Sequence, residues 1–293
     1  MIEEYLKYLD VKGYAKATIH TIRKTLGLFS SFIDYDVINV TPDAIDQYLA
    51  FNQDRHLNNS TIVGRIRIIS RFFKYLKQEG HIILDPTIHV ELRYEKSILH
   101  DIPSHAQVEK LLLLPDIETL TGKRDKAILE LMYSSGLRRQ ELVNLDIYDL
   151  NLKKKELFVR EGKGGRDRVT PIGREAITWL DKYINIVRPR YTKDPNQKAL
   201  FLSVRGGRLS PSSVFDILER YYKSKKLDIK ISPHKLRHAC AIGMLKNNAD
   251  IRMIQRLLGH RRLTSTQIYT TVTINDLKHV HDKYHPRRAM RLE

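Results

Sequence analysis

Apolar side chains recur at intervals of three and four through most of this chain, the spacing that lines them up on one face of an α-helix. A first helix is predicted over about Ile2 to Val11, stopping ahead of Gly13. Between about Thr18 and Ile33 the series Ile19, Ile22, Leu26, Phe29 and Phe32 predicts a second. Thr41-Pro42-Asp43 supplies an N-cap followed by proline at the first helical position, and so opens a third, which carries Ile45, Tyr48 and Leu49. The fourth starts near Ser60 and stops at Gly80, where a left-handed terminal residue is expected. On it Ile62, Ile66, Ile69, Phe73 and Leu76 form a core stripe, while Gly64, Arg67, Arg71 and Lys74 gather on another side. That second face is either a solvated surface or a place where a phosphate backbone comes close beside the small glycine.

Asp85-Pro86 closes this helical block, and residues 91–103 show no clean period and read as a linker. Beyond it the pattern alternates between periods. Ser104 is positioned to cap a helix through Val108, Leu111 and Leu112, and another helix is expected from about Arg124 to Ser134, meeting Gly136. Ile147–Leu150, Leu157–Arg160 and Arg168–Pro171 read as short strands, with Gly162-Lys163-Gly164-Gly165 as the turn between the last two. Helices follow at about Arg174–Val187, Pro211–Lys223, Pro233–Lys246, Ile251–Leu258, Ser265–Tyr269 and Asn275–Tyr284. The expected fold is mainly α with a small antiparallel β-sheet. Its domains are a helical one over 1–90 and a larger one over 104–293.

Composition changes this picture in two ways. No apolar run approaches the roughly 20 residues of a membrane span, the first residues are acidic where a secretory signal would be basic, and a lone Cys240 can form no intrachain disulfide. A cytoplasmic protein is expected. The net charge is +17, a value at which nucleic acid is the commonest partner. It is also uneven: residues 1–90 hold 11 Lys and Arg against 10 Asp and Glu, whereas residues 91–293 hold 40 against 24. Most of a phosphate grip should therefore come from the second domain.

Candidate chemistry lies there too. Arg138 follows a helix-breaking glycine, and Glu141, three residues on, can steady its guanidinium. Lys163 sits on a glycine-flanked turn. His234 and Arg237 share a face at the start of a helix, where an anion is already favoured. His260 follows Gly259, a helix stop, and Tyr269 comes nine residues later. Taken singly each has a bland explanation, as capped amphipathic helices, surface charge or one of 15 tyrosines. A zinc site from His234, His238 and His260 competes, but no HExxH pattern is present and an arginine divides the pair.

Taken together and in this order, Gly-Leu-Arg138 with Glu141, Gly-Lys163-Gly, Pro-His234-x-Leu-Arg237-His238, Leu-Gly-His260 and Tyr269 resemble the tyrosine recombinase, or phage integrase, family. Ser-Thr-Gln-Ile-Tyr269-Thr and His285-Pro286-Arg287 look most like its Xer branch, which resolves chromosome dimers. Arg261-Arg262 depart from the small polar residues common after that histidine. The resemblance implies a helical, SAM-like core-binding domain ahead of a catalytic domain. It also implies cleavage of double-stranded DNA by Tyr269 through a 3′-phosphotyrosyl link, with no metal and no cofactor. Arg138 and Arg237 would hold the phosphate, His234 would assist the tyrosine's proton, His260 would add a hydrogen bond and Lys163 would protonate the departing 5′ oxygen. Four protomers on two duplexes would close a ring by exchanging the C-terminal helix, on which Ile274, Leu277, Val280 and Tyr284 make an apolar edge. A type IB topoisomerase, a mobile-element integrase and a non-catalytic DNA-binding protein of the same fold are the competing readings.

Overall fold

The three-and-four spacing of the first block folds as helices α1 (Ile2–Val11), α2 (Lys16–Ile33), α3 (Pro42–Asp54) and α4 (Asn59–Gln78) in a computed structural model that describes residues 1–90, 102–162, 166–259 and 274–289. Two compact units divide the chain, Met1–Ile98 and Leu99–Glu293. In the first, Leu26, Phe29, Ile45, Ile66, Ile69, Phe73 and Leu76 are fully or almost fully buried. Thr41 caps α3 by accepting from the Ala44 N–H, and Gly80 takes the left-handed conformation just past α4. Val63 and Phe72 are buried as well, so the core face of α4 is wider than one stripe. Gly64, Arg67, Arg71 and Lys74 are all exposed.

The second unit is arranged around α6 (Leu120–Ser135), with α5 (His105–Leu113) beside it. Ser104 and Gln107 close a reciprocal capping box on α5. Helix α6 begins four residues before the expected Arg124, capped by Thr119. The start is missed because Gly122, a poor helix former, sits in the first turn, where its N–H is taken by the Thr119 hydroxyl; the charged residues that follow, Arg124, Asp125, Lys126 and Glu130, are buried rather than solvated. Each is paired: Arg124 and Arg220 with Asp125 at 2.9 and 3.2 Å, Lys126 and Arg287 with Glu130 at 3.0 and 2.6 Å. Burial requires such partners. The helix ends at Gly136, left-handed at φ +56°.

After α7 (Arg139–Asn144), Ile147–Asp149 forms a single 3₁₀ turn where the apolar pattern predicts a strand, because Asp149 accepts from the Asp146 N–H at 2.8 Å and bends the chain back. Strand β1 is only Leu150–Asn151. It pairs with β2 (Glu156–Gly162), and β2 pairs with β3 (Arg166–Pro171), all antiparallel. In this register Leu157 faces Thr170 and Val159 faces Arg168. The turn carrying Lys163 lies outside the described residues.

The helix expected over Arg174–Val187 is α8 (Arg174–Lys182) followed by a widened turn at Tyr183–Val187, where the Arg188 N–H reaches back to the Tyr183 carbonyl, and then α9 (Arg188–Tyr191). Pro189 has no N–H to continue the ordinary ladder. Next come α10 (Pro211–Tyr221), widened likewise over Tyr222–Lys226, then α11 (Pro233–Lys246) and α12 (Ile251–Leu258). The short helix expected at 265–269 falls outside the described residues. The last helix, α13 (Ile274–Tyr284), lies on its own unit, with Leu277 and Val280 buried in that unit's core. His281 donates to the Ser134 carbonyl at the end of α6, at 2.8 Å, and His285, just past α13, donates to the Tyr133 carbonyl at 3.1 Å. Truncation after Thr273 would therefore remove part of the fold as well as any exchanged arm.

Candidate active site

Three elements, α7, β3 and α11, converge on the carboxylate of Glu141, which is 5% exposed. Arg138 stands just ahead of α7, released from α6 by Gly136. Its Nη1 donates to Glu141 Oε1 at 2.6 Å while its backbone N–H donates to Oε2 at 2.8 Å. From β3, Arg168 reaches the same carboxylate with both arms of its fork, at 2.9 and 2.8 Å. From α11, Arg237 brings a third guanidinium to within 3.8 Å of Oε2. Arg138 and Arg237 are thus gathered on one side of the unit.

The opposite wall of the cluster is the C-terminal end of α12. A helix end leaves its last carbonyls without intrahelical partners and carries partial negative charge. Here three successive carbonyls are each taken by a different arginine: Leu257 by Arg168 Nε at 3.2 Å, Leu258 by Arg237 Nη2, and Gly259 by Arg138 Nη2 at 3.2 Å. Arg237 Nη1 donates in addition to the Gly136 carbonyl. Gly259 is left-handed at φ +66° and a Cβ there would come within 3.2 Å of the Arg168 side chain. Gly136 is closer still to α12, since a Cβ on it would meet the Leu258 side chain at 2.4 Å.

The charges follow from this packing. Burial pushes the Glu141 carboxyl up, but the hydrogen bonds and charge of Arg168 and then of Arg138 outweigh it and hold the group at about 2. Arg237 is pulled down to about 10 by burial and then by the neighbouring Arg138, and so keeps its charge at neutral pH. Three guanidinium groups against one carboxylate leave the cluster two charges positive. A phosphodiester arriving there lowers the imbalance instead of adding to it. Arg138, 26% exposed, is the most open of the three, whereas Arg237 is 4% exposed and its two terminal nitrogens are already committed to carbonyls.

His234 and His238 are exposed on the first turns of α11, with their Nε2 atoms 2.8 Å apart. Ser232 caps that helix by accepting from the Lys235 N–H. Among the described residues no group of three or more histidines, cysteines or carboxylates could hold a metal, and no helix is long and apolar enough to cross a membrane. Lys163, His260 and Tyr269 lie outside the described residues; His260 follows Gly259 directly in sequence. Arg67, Arg71 and Lys74 belong to the other unit.

Arg168 is the residue that sequence reasoning passes over. Local alternation points the other way, since Val169 is the apolar residue of the strand; it is the pairing of Arg168 with buried Val159, and of Thr170 with buried Leu157, that turns the arginine inward. An inward-facing charge on a short strand demands a partner.

Comparison with known proteins bears on the whole chain. The profile described as "Phage integrase family" matches residues 104–275, and that of its "N-terminal SAM-like domain" matches residues 2–80. Tyrosine recombinase XerD of Staphylococcus epidermidis is 33% identical, covering 98% of this chain and 99% of the relative. Tyrosine recombinase XerC 2 of Ralstonia nicotianae is 35% identical, covering 99% and 86%. Among solved structures, a lambda integrase dimer bound to a COC′ core site shares the fold at a TM-score of 0.72 and 18% identity, over 91% of this chain and 97% of that one.

Proposed function

Since the chain belongs to the phage integrase family, we propose that it is a site-specific tyrosine recombinase acting on double-stranded DNA, and that Arg138, Lys163, His234, Arg237, His260 and Tyr269 carry the reaction, with Glu141 in support. The observation that carries this reading is the convergence of Arg138 and Arg237 on one positively charged cluster beside the end of α12.

Each terminal nitrogen of Arg138 and Arg237 carries a second N–H beyond the one given to Glu141 or a backbone carbonyl, and with these the two guanidiniums bind the non-bridging oxygens of the scissile phosphate and match the charge that accumulates on them in the in-line transition state. The Tyr269 oxygen attacks phosphorus, and its proton leaves with the help of His234. The bond to the 5′ oxygen breaks and Lys163 supplies the proton that this oxygen needs. A phenol near pKa 10 requires that help at neutral pH. The 3′-phosphotyrosyl ester retains the energy of the broken phosphodiester, so a new 5′ hydroxyl can reverse the step on another strand without ATP. His260 donates a further hydrogen bond to the phosphate. On α4, Arg67, Arg71 and Lys74 grip the backbone of the same duplex.

The working form is four copies on two duplexes, joined by their C-terminal helices, and the biological outcome is resolution of chromosome dimers at a specific site, in keeping with the relatives named XerD. The test is a nicked suicide duplex carrying the recombination site. The natural chain should accumulate a covalent protein–DNA adduct; Tyr269→Phe should bind with unchanged affinity and form none. An adduct undiminished in Tyr269→Phe would remove the assignment.

A further inference from the structure

Arg168 is tied to three partner atoms by one planar group, and none of them is a substrate. Its two terminal nitrogens take both oxygens of Glu141, and Nε takes the Leu257 carbonyl. Thus a single side chain on β3 joins α7 to the last turn of α12. The bond to Leu257 lies one residue ahead of the carbonyl held by Arg237 and two ahead of the one held by Arg138. The side chain is 12% exposed and Gly259 packs its backbone directly against it.

A plain structural ion pair would not need this residue. Arg138 already neutralises Glu141, with a side-chain bond of 2.6 Å and a backbone bond of 2.8 Å. A third arginine beside Arg138 and Arg237 adds repulsion between like charges. What it adds in return is geometry. A carboxylate held by a fork on one side presents its remaining lone pairs in a fixed plane, and Arg138 and Arg237 both read their position from that carboxylate and from the α12 end.

Resting on the recombinase reading above, we propose that Arg168 is a positioning residue for strand cleavage, locking Glu141 and the end of α12 so that Arg138 and Arg237 meet the phosphate in one geometry. It touches no DNA in this scheme. Lysine cannot replace it, since an ammonium offers charge without the planar fork.

The experiment compares the natural chain with Arg168→Lys and Arg168→Ala on the suicide duplex, measuring site affinity, single-turnover cleavage rate and thermal midpoint. Cleavage is read at a temperature where circular dichroism shows each variant folded. The expected result for Arg168→Lys is affinity within about threefold of the natural chain, because every phosphate-binding cation remains, and cleavage slower by about 10²-fold, the scale of a small misplacement at a reacting centre. Free guanidinium at low millimolar concentration should restore part of the rate to Arg168→Ala and none to Arg168→Lys. Cleavage at the natural rate in Arg168→Lys would show that charge alone suffices and would overturn the proposal. So would variants that do not fold at all, which would make Arg168 a residue of the scaffold. Failure of the natural chain to form an adduct counts against the recombinase reading, and is thereby told apart from failure of the role given to Arg168.

Discussion

Glu141 faces three guanidinium groups with one carboxylate, and its protonation state is therefore coupled to the stability of the whole C-terminal unit. Its folded pKa of about 2 lies below the ordinary carboxylate value of 4.5. A depressed carboxyl stabilises the fold above the unfolded value, and that contribution is lost as the pH falls from about 4.5 towards 2; it amounts to about 3 kcal/mol at neutral pH. Glu141→Gln should lower unfolding free energy by about 3 kcal/mol at pH 7, the scale for removing one member of a buried charge cluster. The deficit should shrink towards acid pH, as denaturant titrations at several pH values would reveal. At this scale the sequence is readable where a motif carries the residue. Arg138, Glu141 and Arg237 can be named because short spacings place them at helix starts. Arg168 cannot, since its partners stand 27 and 89 residues away and only a long-range fold brings them to it.

Elements are legible wherever an apolar stripe repeats: α1, α4, α11 and α12 begin and end close to their expected bounds, and α3 begins where expected. The pattern misleads where polar side chains serve the backbone. The start of α6 is hidden by Gly122 in its first turn, with the Thr119 hydroxyl as cap, and the turn at Ile147–Asp149 passes for a strand because Asp149 acts on the Asp146 backbone rather than on solvent. Two glycines set how elements meet. Gly136→Ala would place a Cβ into Leu258 at a left-handed φ of +56°, so a destabilisation of about 2 kcal/mol is expected in equilibrium unfolding, more than the ordinary penalty for that backbone region. The seam between α13 and α6 responds to acid. Burial, and then the neighbouring His281, hold His285 well below its usual value. A histidine kept neutral in this way stabilises the docked helix above about pH 6.5, and the contribution fades as the pH falls and the undocked segment takes up protons. Backbone amides of α13 should therefore exchange faster at about pH 5 than at neutral pH, once corrected for intrinsic rates, while those of α6 change less. Equal protection changes across both helices between the two pH values would contradict this.

On the scale of the molecule, charge separates what the two units do. The helical unit is nearly balanced and keeps Arg67, Arg71 and Lys74 on one exposed face of α4, whereas residues 91–293 carry the excess. Replacing those three side chains together by alanine should weaken binding to any duplex and flatten its dependence on salt by roughly one unit of slope for each phosphate no longer bound; fluorescence anisotropy at graded salt measures both. Period and charge change near residue 90, whereas the compact units part between Ile98 and Leu99. The gathering of Arg138, Glu141, Arg168 and Arg237 around the end of α12 is not visible in the sequence, because it depends on a register between β2 and β3 that no local pattern states. That gathering has a consequence for descent. Three cations share one anion and one helix end, so loss of a single arginine lowers the excess of positive charge whereas loss of Glu141 leaves three guanidinium groups with no counter-charge, and the carboxylate is the member hardest to exchange. A lineage that gave up cutting DNA would shed its tyrosine long before it shed Glu141, and the arginine knot would survive in it as a fossil of the fold.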